Sequence, residues 1–446
     1  MQPAILGRAS LSIGLCVLTA VGAMSGTSPV RAEGSPVLAY IPVPDTPDDL
    51  AVSPDGGRVL VASSNSGLLI DIDSTSNAIR SRTRVGDTPR GIAFSPDGSM
   101  ALVTNITSDS VSVVNSASGS VTRTISVPDA PGAVAFGRDG RRAYVTHTGV
   151  AAITVLDPAN GSVLAPIALP DDWTEAIASN PETDSAVALL SWRPSSLAVI
   201  SLAGPGSLTR RIPIGGTGID VALSQDGTKA YVLDNDRNAL SSVVVVDLAS
   251  GAILSRTPVG HAARDLAISA DGTRVLVAHQ GSLKTPGSTS GANAPLITVF
   301  DAASMANLGV LSTAHPRTLG TQAESLALSP NTSKAWLGAY GRSSSGVIVV
   351  DTASPTPAPG LASRITAQRS GSSATVRWST PPGSPTLTLV NAIPNAEGDA
   401  YPILTCTTTS RACRVRGLIA GISYQLTVQA RNANGWGPAA VGKISS

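Results

Sequence analysis

The sequence predicts an all-β fold, a seven-bladed β-propeller followed by a smaller β-sandwich, and three observations support this prediction. A turn of the Ser-Pro-Asp-Gly type occurs seven times, at intervals of 42, 42, 42, 45, 45 and 60 residues, and a repeat of about 40–45 residues is typical of a four-stranded propeller blade. A strand-like segment at residues 37–43 precedes the first turn, while the seventh repeat lacks a fourth strand. Beyond residue 360 the pattern changes. The turns begin at Ser53, Ser95, Gly137, Ser179, Ser224, Ser269 and Ser329.

Residues 1–32 have the pattern of a signal peptide. Arg8 provides a positive charge, residues 11–24 are largely apolar, and Val30-Arg31-Ala32 fits the small-x-small rule for cleavage. Because this apolar run is too short to cross a bilayer, we expect cleavage after Ala32 rather than an uncleaved anchor. No later apolar run reaches membrane-spanning length, so we expect no membrane insertion after cleavage.

Composition and cysteine usage agree with a secreted or cell-envelope protein, in the periplasm or at the cell surface. The 31 Lys and Arg residues nearly balance the 30 Asp and Glu residues, so no basic excess points to a nucleic-acid partner. Removal of the signal would leave two cysteines, Cys406 and Cys413. In an oxidising compartment they can form a disulfide; two free thiols are the alternative.

The second repeat shows the predicted blade most clearly. Its first strand lies at residues 91–94 and leads into the turn Ser95-Pro96-Asp97-Gly98, where Pro presets φ and Gly accepts a positive φ. Three further strands follow at residues 100–105, 110–115 and 121–127. Residues 37–43 match the fourth-strand position, so we expect them to complete the seventh blade and to cover its sheet edge.

The repeats resemble a known bacterial family. Residues 89–98 read Pro-Arg-Gly-Ile-Ala-Phe-Ser-Pro-Asp-Gly and are followed by Leu102-Val-Thr-Asn105; both segments resemble the YVTN-type propeller family. The resemblance covers residues 36–354, except that Asn180-Pro-Glu-Thr-Asp184 replaces the turn in the fourth repeat. It implies a seven-bladed disc but no single activity, because such discs include binding proteins, surface-layer-like proteins and relatives of lactone hydrolases.

The C-terminal part follows a Pro-rich linker at residues 355–360. Residues 361–446 include a strand ending at Trp378 and the segment Leu418-Ile-Ala-Gly-Ile-Ser-Tyr424. This segment resembles the tyrosine corner of fibronectin type III sandwiches, in which the Tyr hydroxyl bonds upstream backbone. The resemblance implies a fibronectin type III-like domain in which Cys406 and Cys413 are hairpin cysteines. No strand is assigned within residues 386–401.

Charged and polar residues recur where the repeat places one face of the disc. The starts of the first strands would lie nearest the channel, and the second strands would end at the same face, opposite the Ser-Pro-Asp-Gly turns. The first-strand starts also carry Asp48, Asp49, Asp265 and Glu324. We predict a ligand-binding site at this top face, with an ordinary solvated rim as the alternative. The candidate residues are Arg90, His147, Glu175, Asp220, Asp234, Arg264 and His279.

No catalytic or cofactor-binding motif accompanies these residues. The chain has no His-x-His or His-Glu-x-x-His spacing for a metal, and Asp234-Asn-Asp236 lacks the Gly and closing Glu of a calcium loop. It also has neither a Gly-x-Ser-x-Gly elbow nor a Gly-rich phosphate loop. We therefore expect no catalytic residue, no metal and no cofactor.

These observations favour an exported, non-catalytic binding or scaffold protein that recognises an extracellular protein or glycan through the top face. The alternative is a lactonase-like hydrolase with acid–base residues at the channel mouth. A self-associating surface-layer component is a third hypothesis. Charged groups converging within hydrogen-bond reach would favour the hydrolase, and a scattered ring would favour binding.

Overall fold

The computed structural model describes residues 36–169, 173–190, 194–235, 240–280, 296–313, 322–341, 345–353, 363–379, 387–394, 404–432, 435–436 and 440–445. The predicted signal peptide and the Pro-rich linker lie outside these residues. The described residues form an all-β structure without helices. Accordingly, this part of the chain has no helix long and apolar enough to cross a membrane.

The strands up to residue 213 comprise a first strand, which belongs to a sheet formed later in the chain, and four antiparallel sheets. In chain order they are β1 (Val37–Pro42); β2 (Pro47–Val52), β3 (Arg58–Ser63), β4 (Leu68–Asp73) and β5 (Ile79–Arg84) in sheet 1; β6 (Pro89–Phe94), β7 (Met100–Asn105), β8 (Ser110–Asn115) and β9 (Val121–Ser126) in sheet 2; β10 (Pro131–Phe136), β11 (Ala143–His147), β12 (Ala152–Asp157), β13 (Ser162–Val163) and β14 (Ile167–Ala168) in sheet 3; and β15 (Thr174–Ser179), β16 (Ser185–Leu190), β17 (Ser196–Ser201) and β18 (Ser207–Pro213) in sheet 4. In sheet 3 the outer strand is split, because β13 and β14 both pair with β12.

Three further sheets complete this region. They comprise β19 (Thr217–Leu223), β20 (Lys229–Asn235), β21 (Leu240–Asp247) and β22 (Ile253–His261) in sheet 5; β23 (Ala263–Ile268), β24 (Arg274–His279), β25 (Leu296–Asp301) and β26 (Asn307–Ser312) in sheet 6; and β27 (Gln322–Leu328), β28 (Lys334–Tyr340) and β29 (Ser345–Asp351) in sheet 7. The fourth strand of sheet 7 is β1, which pairs antiparallel with β29 from Val37 opposite Val350 to Pro42 opposite Gly346.

The turn after each first strand has a local physical cause. In sheet 1 the amide of Gly56 donates to the carbonyl of Ser53 at 2.8 Å, and Gly56 takes a φ of 72°. The Ser53 hydroxyl donates to Asp55 Oδ1 at 2.5 Å and accepts from the Arg58 amide at 3.0 Å. The side chains of the motif therefore provide hydrogen-bond partners for backbone groups of the turn.

The hydrophobic core of the seven sheets is divided into seven clusters, each between two neighbouring sheets. Strand alternation buries both faces of every sheet, because each face packs on a different neighbour. One cluster joins sheet 7 to sheet 1 through Trp336, Val349 and Leu50. The first strands of neighbouring sheets also contact one another from β2 through β6, β10, β15, β19, β23 and β27, and β27 contacts β2.

The C-terminal region is a two-sheet sandwich. Its strands are β30 (Ser363–Ser370), β31 (Ser373–Ser379), β32 (Leu387–Pro394), β33 (Leu404–Thr408), β34 (Ala412–Arg416), β35 (Tyr424–Asn432), β36 (Gly435–Trp436) and β37 (Ala440–Ile444). One sheet has the order β30-β31-β34, and the other joins β33, β32 and β35, with β36 and β37 also paired to β35. The core between them contains Trp378 and Tyr424. The Tyr424 hydroxyl accepts from the Ile419 amide at 3.0 Å, which is the tyrosine-corner bond.

The predicted disulfide between Cys406 and Cys413 is confirmed, with 6.2 Å between their Cα atoms. Its setting differs from a simple hairpin. Cys406 lies on β33, which pairs with β32, whereas Cys413 lies on β34, which pairs with β31. The bond therefore links the two sheets of the sandwich.

Candidate functional site

A β-bulge lies at the start of every first strand, in the region where the first strands of neighbouring sheets contact one another. In β2 the pairing runs from Pro47 opposite Ser63 to Asp49 opposite Ala62, so that Asp48 is the extra residue. The same one-residue excess occurs in the other six first strands. Bulges re-aim side chains and are frequent beside functional sites. We call these seven residues the inner ring: Asp48, Arg90, Gly132, Glu175, Ile219, Arg264 and Glu324.

Two inner-ring residues form an ion pair across a third sheet. Arg90 Nη2 of sheet 2 lies 3.5 Å from Glu175 Oε2 of sheet 4. Gly132 of sheet 3 stands between them in the ring and carries no side chain. The bulge and the glycine together allow this long-range pair, whose members remain substantially solvent-exposed.

A second polar network surrounds Arg264 and Glu324. With its amide oxygen turned toward Arg264, Gln280 accepts from Nε and Nη2 at 2.6 and 2.8 Å. The Tyr340 hydroxyl donates to Gln322 Oε1 at 3.1 Å and also hydrogen-bonds Glu324. Burial raises the pKa of Glu324, and the nearby charge of Arg264 partly opposes this shift. Asp48 behaves similarly: burial raises its pKa, while a bond from Ser64 and the charge of Arg90 lower it.

The residue after the bulge is an aspartate in three sheets, and we call Asp49, Asp220 and Asp265 the carboxyl trio. Each one accepts a backbone amide of the next sheet: Asp49 Oδ2 from Ile92 at 2.7 Å, Asp220 Oδ2 from Leu266 at 3.1 Å and Asp265 Oδ2 from Leu326 at 2.6 Å. The first two also accept the amide that follows them in their own strand. These carboxylates therefore bridge three of the junctions between neighbouring sheets. We call each such junction a seam.

The trio is electrostatically unusual. Burial raises the pKa of Asp49 to about 7, even though two amide bonds lower it. Burial also raises the pKa of Asp265 well above its ordinary value, and the neighbouring Asp220, which shares a side-chain hydrogen bond with it, raises it further. The charge of Asp220 on sheet 5 also raises the pKa of Asp49 on sheet 1. The three side chains thus converge where the first strands meet.

The remaining seams are fastened by hydroxyl groups. Thr104 Oγ1 accepts from the Gly91 amide at 2.8 Å and donates to the Gly132 carbonyl of sheet 3 at 2.5 Å. Equivalent bonds cross the next seams and the junction of sheet 7 with sheet 1. They run from the His147 amide to Thr174 Oγ1, from the Gly218 amide to Ser195 Oγ and from Ser325 Oγ to the Pro47 carbonyl.

Three predicted site residues lie inside sheets rather than at the centre. His147 has no exposed surface; its Nδ1 faces the Asp129 carbonyl at 3.0 Å and its Nε2 faces Thr154 Oγ1 at 2.8 Å. Burial lowers its pKa, so the ring stays neutral. His279 is 5% exposed and meets Thr298 Oγ1 at 3.1 Å, and Asp234 is 2% exposed and paired with Arg256. Of the other four candidates, Arg90 and Glu175 form an ion pair, Arg264 lies beside Gln280 and Glu324, and Asp220 belongs to the carboxyl trio.

Strand alternation explains why His147, Asp234 and His279 do not reach the inner ring. His147, Asp234 and His279 stand ten residues after the start of their turns, whereas Ser64, Gln280 and Tyr340 stand eleven residues after theirs. Successive side chains of a strand point to opposite faces. The eleventh residue therefore meets the inner ring: Ser64 bonds Asp48, Gln280 bonds Arg264 and Tyr340 bonds Glu324. Counting one residue further would have found Gln280 and Tyr340.

Among the residues that the structure describes, no group of three or more His, Cys, Asp or Glu side chains is arranged to hold a metal. The arrangement offers guanidinium and phenol donors beside carboxylate acceptors. Such a surface can bind a polar ligand through several hydrogen bonds of both directions.

Fold and site together define a propeller-like all-β protein with a C-terminal fibronectin type III domain, since residues 357–441 match that domain family. Of the solved structures, a chain of hydrazine synthase from Kuenenia stuttgartiensis is similar, with a TM-score of 0.60 and 20% sequence identity over 73% of this chain and 99% of that one. At this identity the likeness shows the fold alone. A comparison with curated proteins finds no match.

Proposed function

We propose that this chain is an exported, seven-bladed propeller of the YVTN type that binds an extracellular protein or glycan. The seven sheets would be the blades, and the cyclic contacts of their first strands support closure of the ring. The predicted signal peptide and the disulfide support export, because disulfides persist in oxidising compartments.

One observation supports the location of the binding site. All seven first strands carry a bulge at the same point, and five of the seven bulged residues are charged. A purely structural repeat has no need of Arg and Glu side chains at the point where the strands crowd together. We propose that the inner ring and the adjoining Gln280 and Tyr340 form the channel mouth that contacts the ligand.

Binding is favoured over hydrolysis because the converging acids already have structural partners. Both carboxylate oxygens of Asp49 and of Asp220 accept backbone amides. A general base must offer a lone pair to the substrate or to water, and on each of these oxygens an amide that joins two strands or two sheets already occupies one of the two lone pairs. His147 and His279 lie inside their sheets and are poor candidates for acid–base work.

The hydrolase remains the second candidate because of the environment of Asp49. The pKa of Asp49 is raised to about 7, which is the range in which a carboxyl group exchanges protons efficiently at neutral pH. Hydrolysis of a panel of lactones by the exported protein would favour this candidate, provided that Asp49→Asn abolishes the activity.

The binding proposal is tested by affinity capture with the exported protein as bait. The prey is the producer's envelope fraction, tested in parallel with a glycan array. We expect Arg90→Ala and Arg264→Ala to reduce capture of the same partner by tenfold or more, which corresponds to about 1.4 kcal/mol per factor of ten. Arg82→Ala is the matched control, because Arg82 is exposed on the outer strand β5. A partner lost only with Arg82→Ala would contradict the proposed location.

A further inference from the structure

We infer that Asp220 and Asp265 share one proton and form a proton-dependent clamp across the seams of sheets 5, 6 and 7. The clamp holds while the proton is present and weakens when the proton leaves. It is independent of whether the inner ring binds a ligand.

Each of the two carboxyl groups accepts a hydrogen bond from the next sheet and also lies beside the other carboxyl group. Asp220 reaches forward from β19 to the Leu266 amide of sheet 6, and Asp265 reaches forward from β23 to the Leu326 amide of sheet 7. Leu266 directly follows Asp265, so its bond to Asp220 Oδ2 brings the two carboxyl groups close together, and a side-chain hydrogen bond with Asp220 contributes to the raised pKa of Asp265. One continuous set of bonds therefore joins three sheets through two adjacent aspartates.

The position of the proton follows from the accepted bonds. Asp220 Oδ1 and Oδ2 accept the Val221 and Leu266 amides at 2.8 and 3.1 Å, so both of its oxygens act as hydrogen-bond acceptors. Asp265 Oδ2 accepts the Leu326 amide at 2.6 Å, which leaves Oδ1 to carry the proton and donate it to Asp220. A bond between two carboxyl groups requires one such proton.

The charges around the clamp oppose release of this proton. Asp265 is influenced by Asp220 on β19 and by Asp49 on β2, and both influences raise its pKa after the larger effect of burial. The nearest cation in sequence is Arg264, whose guanidinium is bonded to Gln280. When Asp265 gives its proton to solvent, two carboxylates face each other at one seam, with Asp49 nearby.

The effect is confined to part of the assembly. The seams from sheet 2 to sheet 5 are crossed by Thr104, Thr174 and Ser195, and hydroxyl groups do not titrate in this range. Loss of the proton should therefore loosen the seams beside β23 and β27 without loosening those beside β10 and β15.

The sign of the pH effect follows from the raised pKa. A carboxyl group whose folded pKa exceeds its unfolded value makes stability fall as pH rises between the two values. The clamp is therefore strongest in mildly acidic solution and weakens as the pH rises through the folded pKa of Asp265.

The test uses Asp265→Asn in the mature protein. The Asn Oδ1 can still accept the Leu326 amide, and its Nδ2 can donate permanently to Asp220, so the variant mimics the closed clamp. Asp271→Asn in the same sheet is the matched control; a Ser269 bond lowers the pKa of Asp271 to about 2. We expect Asp265→Asn to raise the melting temperature by a few degrees in mildly alkaline solution and to flatten its decline with pH. Asp271→Asn should keep the decline.

Two further measurements locate the effect. Hydrogen exchange in Ala263–Ile268 and Gln322–Leu328, corrected for the intrinsic pH dependence, should accelerate with pH in the unmodified protein but not in Asp265→Asn. Infrared difference spectra at about pH 6, where ordinary aspartates are ionised, should show one protonated carboxyl group fewer in Asp265→Asn and the same number in Asp271→Asn.

Equal carboxyl absorption in Asp265→Asn and in the unmodified protein would overturn the inference, as would unchanged pH dependence of melting. If Asp265→Asn fails to fold, Asp220→Asn provides the second variant. It removes the partner carboxylate, so the protonated band assigned to Asp265 should shift. An unshifted band would reject the shared proton.

Discussion

The aspartates at the two ends of the first strands respond to their surroundings in opposite directions. At the turn end, the Ser53 hydroxyl and the Gly57 amide lower the pKa of Asp55, and Asp97, Asp226 and Asp271 behave in the same way. At the central end, burial raises the pKa of Asp49 and of Asp265. The same residue type therefore stabilises the fold as an anion at one end and as a neutral acid at the other.

Asp49 shows which effect is the larger. It accepts two backbone amides at 2.8 and 2.7 Å, and such bonds favour the charged form. Its pKa nevertheless rises to about 7, so the cost of desolvation exceeds the gain from both bonds. The turn aspartates accept similar bonds in water, where that cost is small.

The two groups of aspartates make stability depend on pH in opposite directions. Stability from the turn aspartates is present above about pH 4 and is lost as the pH falls through their lowered pKa values. The central carboxyl groups act in the opposite sense, because their raised pKa values make stability fall as the pH rises from about 4 to about 7. We expect the most stable condition to be mildly acidic.

The largest expected effect comes from removing β1, the fourth strand of sheet 7. Deleting residues 33–44 removes β1 and exposes the edge of β29, whose pairing partner it is. It also removes Ile41 and Val43 from the cluster between sheets 7 and 1. We expect aggregation or a large fall in melting temperature, measured by calorimetry and size exclusion. A chain beginning at residue 33 is the control, and equal melting of the two would contradict the structural role of β1.

A hydroxyl seam provides a sharper contrast with the carboxyl seams. Thr104→Val should leave the Gly91 amide and the Gly132 carbonyl without their partner, at a cost of about 1–3 kcal/mol. Because a hydroxyl does not titrate, this cost should be the same in mildly acidic and mildly alkaline solution, as measured by denaturant unfolding. Thr124→Val on the exposed strand β9 is the control. A cost that changes with pH would show that hydroxyl and carboxyl seams do not act separately.

A smaller effect is expected at the turns. Asp271→Ala removes the acceptor of the Ser269 hydroxyl and of the Thr273 amide. In this solvated turn we expect a loss of about 0.5–1 kcal/mol at neutral pH. The loss should diminish as the pH falls toward 2, because the unmodified protein then loses the same interaction. Urea unfolding at several pH values measures it, and a loss that grows in acid would reverse the assignment.

The smallest effect on stability is expected at the inner ring itself. Arg90 is exposed, and its pairing with Glu175 spans 3.5 Å near solvent, so Arg90→Ala should change the free energy of unfolding by no more than about 0.5 kcal/mol. Thermal melting checks this directly. A loss above about 1 kcal/mol would assign the pair to the fold rather than to a ligand.

The sequence predicts much of the fold because a similar turn motif recurs in each repeat. Ser-Pro-Asp-Gly fixes where β2 and β3 turn, and the predicted strand at residues 110–115 has the bounds of β8. Trp378 and the tyrosine corner place the sandwich core. Within residues 386–401, where the sequence pattern places no strand, β32 occupies Leu387–Pro394.

The candidate site was harder to predict because one residue decides the side of a strand. His147 and Gln280 differ by a single register step, yet the first is enclosed within its sheet and the second meets Arg264. The bulge at Asp48 adds another residue to the count. The approach of Asp49 to Asp220 depends on how sheets 1 and 5 are arranged in space, which no local pattern encodes.

The pairing of β1 with β29 also determines how the seven-sheet region would respond to mechanical force. The Asp351 amide donates to the Pro36 carbonyl at 2.7 Å, so the chain enters and leaves this region at neighbouring points. Because the two strands are antiparallel, tension between residues 36 and 351 would load their hydrogen bonds one after another, as in a zipper, rather than all at once in shear. A pull on these two points would therefore peel β1 away at low force while the other six sheets remain folded.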